Sequence, residues 1–140
     1  MITIKQISMV RNSFRQLAPR RDEIFLGVYQ RLANASPEFE TLYGIDLGQR
    51  ARTLDGIVEL ALLSLDHPTA LFGTLHGLGR QYANYGSWRD THDLLAEFLI
   101  DSFAEHSGES WTLEHSEAWR RVLQFIIQGM LDGAKSAAVA

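Results

Sequence analysis

Apolar positions recur at helical offsets along almost the whole chain. Ile7, Val10, Phe14 and Leu17 step by three and four residues, which predicts a helix from about Ile4 to Ala18 that stops at Pro19. Phe25, Val28, Tyr29 and Leu32 follow at offsets 0, 3, 4 and 7, the mark of one buried helical face. "SPEF" then opens a short helix, with Ser36 as cap and Pro37 at the first helical position. Leu54, Ile57, Val58, Ala61 and Leu65 make the stripe of a longer helix. "DHP" starts the next one, with Leu71, Leu75 and Leu78 on one side and a stop at Gly86. "SWRD" reads as a capping box, Ser87 with Asp90, ahead of Leu95, Phe98, Leu99 and Phe103. Thr112 is placed to cap the last helix, whose stripe is Trp119, Val122, Leu123, Ile126 and Met130. The final "AKSAAVA" offers little to anchor it and is expected to fray. The pattern predicts an all-α domain of about seven helices.

Composition narrows this picture. The 140 residues suit a single domain spanning residues 1–140, with no internal repeat, low-complexity block or long linker. Hydrophobic residues make up 46% and charged ones 21%, the balance of an ordinary globular chain. A net charge of −4 with no basic face argues against a nucleic-acid partner. The lack of cysteine excludes disulfides, thiolate metal sites, thiol catalysis and thioether-linked cofactors. No stretch approaches the run of apolar residues that a signal peptide or membrane span requires, so a cytoplasmic address and no membrane partner are the default expectations.

Several segments carry a family likeness. "VRNSFRQLAP", "FLGVYQRLANASPEF", "RARTLDGIVELALLSLDHPTALFGTLHGLGR", "LHGLGRQYANYG" and "WTLEHSEAWRRV" occur in the order and spacing of the bacterial single-domain globins, close to the globin part of flavohaemoglobins. The chain resembles that family over nearly its whole length. The resemblance implies a globin fold, a three-over-three helical sandwich, with haem b held between a distal and a proximal helix and a diatomic or anionic ligand on the iron. It further implies that Tyr29 matches the distal tyrosine, Arg50 the distal gate and Leu54 the apolar contact one turn later. Tyr43 stands where a phenylalanine wedges against the haem, and Leu78 lies on the proximal helix beside the cofactor. Tyr82 stands where the family has its iron-ligating histidine, and His92 where many members have a tyrosine. The two residue types are exchanged.

Periodicity gives Tyr82 a direction of its own. It shares a helical face with Leu71, Leu75 and Leu78, so it points inward with them. His76 lies roughly 120° round the same helix and is a poor substitute ligand. An inward tyrosine has two readings. Its ring can fill the space a haem would take, or its phenolate can bind ferric iron as in catalases. A free phenol has a pKa of about 10, so roughly one in a thousand is ionised at neutral pH. Iron(III) and an acceptor such as His92 would have to supply the rest. An anionic oxygen ligand favours ferric iron, which suits haem binding, gas or redox sensing better than oxygen carriage.

The plainer readings stand beside these. Tyr29 fits a core tyrosine, Arg50 a solvated helix start, and Tyr43 a pocket wall or core residue. Trp88, Trp111 and Trp119 read as packing anchors, and His67 as a surface residue. His115 lies in the first turn of the last helix with no partner in view. Five histidines without an HExxH-type motif give no hydrolytic metal site, and "GLG" lies inside a helical pattern, so it is no phosphate cradle. No catalytic motif or reductase unit marks the chain as an enzyme. The alternative function is a haem-free globin-fold interaction or sensory module, its tyrosines closing the cavity and its last two helices forming a homodimer.

Overall fold

The computed structural model describes residues 2–35, 47–81 and 88–139, and every regular element among them is helical. Helix α1 spans Ile4–Gln16 and α2 Arg21–Ala35. Helix α3 spans Leu47–Leu63, α4 Pro68–Gln81, α5 Trp88–Ser107 and α6 Leu113–Val139. The short helix expected at Ser36, the stop at Gly86 and the Ser87 cap lie outside the described residues.

The periodic stripes become the core. Phe25, Val28, Tyr29 and Leu32 of α2 are buried, as are Ile57, Val58 and Ala61 of α3, Leu71 and Leu75 of α4, and Leu99 and Phe103 of α5. One boundary differs from expectation. Helix α1 ends at Gln16 rather than Ala18, and Ala18–Arg20 form a 3-10 turn around Pro19. Proline lacks the N–H that would continue the ladder, and its ring disfavours helical geometry at the residue before it. The start of α1 is tied by a capping box that the pattern reading missed. Thr3 Oγ1 accepts from the Gln6 amide at 3.1 Å, and Gln6 Oε1 accepts from the Thr3 amide at 3.0 Å.

Polar tethers also join the helices. Trp119 of α6 is fully buried, its ring centroid 4.6 Å from that of Phe103 and 5.9 Å from that of Phe14. Its indole N–H donates to Ser13 Oγ at 2.8 Å, and Ser13 Oγ donates to the Val10 carbonyl at 3.1 Å. The one buried polar side chain among the described core residues is thereby satisfied. Arg21, at the start of α2, donates from Nε to Asp55 Oδ1 at 2.9 Å and from Nη2 to Asp55 and to Glu59, the latter at 3.2 Å. Its guanidinium also lies 4.2 Å over the Phe14 ring. Burial alone would lower the Arg21 pKa, but the two carboxylates outweigh it and hold the value above the ordinary one. Arg11 donates to the Leu62 carbonyl at 2.7 Å and meets Asp66 at 3.0 Å, so a cation closes the carbonyl end of α3.

Helices α4 and α6 run parallel, with Phe72 against Phe125 near one end and Arg80 against Ser136 at the other. Their backbones touch. A Cβ built on Gly79 would stand 1.9 Å from the Met130 carbonyl oxygen, and one on Gly133 would stand 1.9 Å from the His76 carbonyl oxygen. A Cβ on Gly129 would stand 2.8 Å from Leu75 Cβ. Helix α6 continues to Val139, and Ala134, the first residue of the segment expected to fray, is fully buried. By contrast α3 and α4, joined by only the residues 64–67, hardly touch each other. Helix α3 rests on α2, and α4 rests on α6.

Replacing Gly79 or Gly133 by alanine is expected to destabilise the fold by about 1–3 kcal/mol or more, as backbone must move away from backbone. Gly77 has open space around its Cβ position. Gly77→Ala should instead stabilise by about 0.5–1 kcal/mol through helix propensity. Urea unfolding of the three variants checks the contrast.

Candidate functional site

Tyr29 sits on the core side of α2 with 8% of its surface exposed. Leu54, on α3, and Leu78, on α4, are half-buried and pack against the rim of the same core. Arg50 lies one turn before Leu54 on α3 and is half-buried too. These four residues therefore lie on three helices that border one core. Tyr43 and Tyr82 lie outside the described residues.

His92 occupies the second turn of α5, and its side chain is mostly buried. Its Nε2 is 3.2 Å from Asp93 Oδ1. His92 lines a groove together with Leu65 and Pro68 of the α3–α4 connection and Arg121, Gln124 and Gln128 of α6. That groove has a volume of about 920 Å³ and opens to solvent.

The remaining histidines have structural partners or face solvent. The His76 ring turns to α6, where Nδ1 is 3.0 Å from Asp132 Oδ2. Its expected divergence from the inward face of α4 is therefore matched by a tether on the neighbouring helix. His115 does have partners, contrary to the sequence reading. Its Nδ1 accepts from the Thr112 amide at 3.1 Å and lies 2.8 Å from Thr112 Oγ1, while Thr112 Oγ1 accepts from the His115 amide at 3.4 Å. The ring also stacks on Trp111 at 5.2 Å. This is a capping box with histidine in the place of glutamate, which a search for acidic or amide residues at that position passes over. Thr112 caps α6 as expected. His67 is exposed, and the His106 Nδ1 lies 2.8 Å from the Ser102 carbonyl one turn back.

Trp119 is a packing anchor as expected. Trp111 donates from its indole N–H to Ser116 Oγ at 2.8 Å, and the Trp88 side chain lies outside the described residues. Among the described residues no histidine, aspartate or glutamate cluster is arranged to hold a metal ion. None of their helices is long and apolar enough to cross a membrane. No protein-family model matches the chain.

The His76–Asp132 contact is solvent-exposed, so it should contribute little by itself. A double-mutant cycle of His76→Ala and Asp132→Ala is expected to give a coupling of about 0.2–1 kcal/mol, measured by denaturant unfolding.

Proposed function

We propose that the chain is a globin-like haem-binding protein whose iron is met by Tyr82 rather than by histidine, with its helices in the three-over-three arrangement. The observation that carries this reading is the divergence of α3 and α4. Two consecutive helices joined by four residues would ordinarily pair, yet α3 lies on α2 and α4 on α6. Helices that diverge in this way would suit a largely apolar planar group between them. The fit extends to the side chains: Leu54 on α3 and Leu78 on α4 are half-buried aliphatics that suit a porphyrin face, and Arg50 can pair with a propionate. His76 meets Asp132 of α6 and so is turned from the inner side of α4.

Haem would supply a redox-active iron able to take a diatomic or anionic ligand. The chain's own residues would do the rest. Tyr82 offers an anionic oxygen once its proton is taken up, with His92 as the acceptor. Tyr29 would form part of the distal wall, and the aliphatic side chains of Leu54 and Leu78 would limit access of water. An oxygen ligand of this kind holds iron ferric, so ligand or redox sensing and haem binding are the favoured roles, ahead of reversible oxygen carriage.

Reconstitution with haemin tests the reading. The purified chain should take up one haem and show a ferric spectrum of the tyrosinate type. Tyr82→Phe should lose that spectrum, and Tyr82→His should convert it to the imidazole type. If the wild-type chain takes up no haem under conditions that load an ordinary apo-globin, the haem-free interaction module is the correct reading. If Tyr82→Phe leaves ligation unchanged, another residue holds the iron.

A further inference from the structure

The capping box at the start of α6 makes a demand that glutamate or glutamine in the same place would not make. A backbone N–H can only donate, so the Thr112 amide fixes His115 Nδ1 as a bare acceptor. The single proton of the neutral ring then sits on Nε2. The Thr112 hydroxyl, 2.8 Å from the same Nδ1, has to be a donor too. An imidazolium has two donors and no acceptor, so a second ring proton is incompatible with this cap. Other histidines differ in this respect. His76 Nδ1 faces the Asp132 carboxylate and His106 Nδ1 the Ser102 carbonyl, so both rings donate at those contacts and keep them when a second proton arrives.

We infer that the first turn of α6 is an acid-sensitive latch: a proton taken from solvent at His115 Nδ1 breaks the bond to the Thr112 amide and loosens the α5–α6 connection. The sign follows from linkage. The latched form binds one proton fewer than the open form, so it is favoured at high pH and lost as pH falls through the range in which a free imidazole titrates, about 6.5. Neighbouring charges set where that change falls, not its direction. Glu114 is held by Lys5 of α1 at 3.1 Å, Glu117 follows on α6, Glu109 lies in the 3-10 turn Gly108–Ser110, and Glu105 and His106 stand near the end of α5. The carboxylates and the stacked Trp111 ring favour the cation, whereas Lys5 and the positive end of the α6 dipole oppose it. None of them gives an imidazolium an acceptor. Little else holds the turn: Leu113 is 83% exposed, and Trp111 is tied to Ser116, a residue of the same turn, at 2.8 Å.

Nitrogen-15 NMR of the full chain without haem, at about pH 8 and about pH 5, tests the latch apart from the cofactor reading. At the higher pH the His115 ring should carry its proton on Nε2 alone. At the lower pH, solvent exchange of the Thr112 amide, corrected for its intrinsic pH dependence, should be faster by roughly two- to thirtyfold, the range expected for loss of a helix cap. His115→Gln supplies an acceptor that does not titrate and should keep the amide protected at both pH values. His115→Ala should leave it unprotected at both. A proton on Nδ1 at the higher pH, equal protection of the wild-type amide at the two pH values, or an acid response that survives in His115→Gln would overturn the inference.

Discussion

The fold depends most on the backbone contact between α4 and α6. Helices with ordinary side chains at their crossing keep their axes 8–10 Å apart. Here the positions of Gly79 and Gly133 face carbonyl oxygens of the other helix, so the hydrogen on each glycine Cα stands where a weak C–H···O contact forms. Non-directional packing is thereby converted into a fixed register, since the glycines tolerate neither a slide nor a rotation. Seated in this way, α4 belongs to α6 and leaves α3 to α2. The divergence on which the proposed cofactor site rests follows from that seating.

The other side of the molecule is organised by charge rather than by missing side chains. Arg21 lies over Phe14 and gathers Asp55 and Glu59, while Arg11 reaches the carbonyl end of α3. Two arginines thus bind α1 and α2 to α3, with the Arg21–Asp55 pair largely withdrawn from water and Glu59 and Asp66 left exposed. The Trp119–Ser13 hydrogen bond closes the remaining connection, from α1 to α6. Helix α5 is held in turn by Arg31 of α2 at Asp101 and Arg120 of α6 at Glu97.

Much of this was readable from periodicity. The buried positions of α2, α3 and α4 follow the three- and four-residue steps, because a helix turned toward a core has little choice about which residues it hides. The Thr112 cap and the start of α4 at Pro68 were also legible, since both use residue types with strong positional preferences. The His115 half of the capping box was not, because imidazole is an uncommon group in that role. Nor was the close approach of α4 and α6: "GMLDG" and "GLG" look like weak helix until the partner backbone is in place. The burial of Ala134 belongs with that miss, since Ala134 follows Gly133, whose Cβ position meets the His76 backbone of α4. Of the candidate site, the core side of α2 and the rim residues Leu54 and Leu78 follow from the pattern, whereas the Asp132 partner of His76 depends on tertiary geometry alone.

The glycine seam also limits how such a sequence can vary. At residues 79, 129 and 133 any side chain at all meets an obstacle, whereas Gly73 and Gly77 open onto empty space and are free to become something else. Divergent kin sharing this helix pair would accordingly be found by a glycine followed some fifty residues later by two more, four apart, even after the aromatic residues that suggest chemistry had been exchanged.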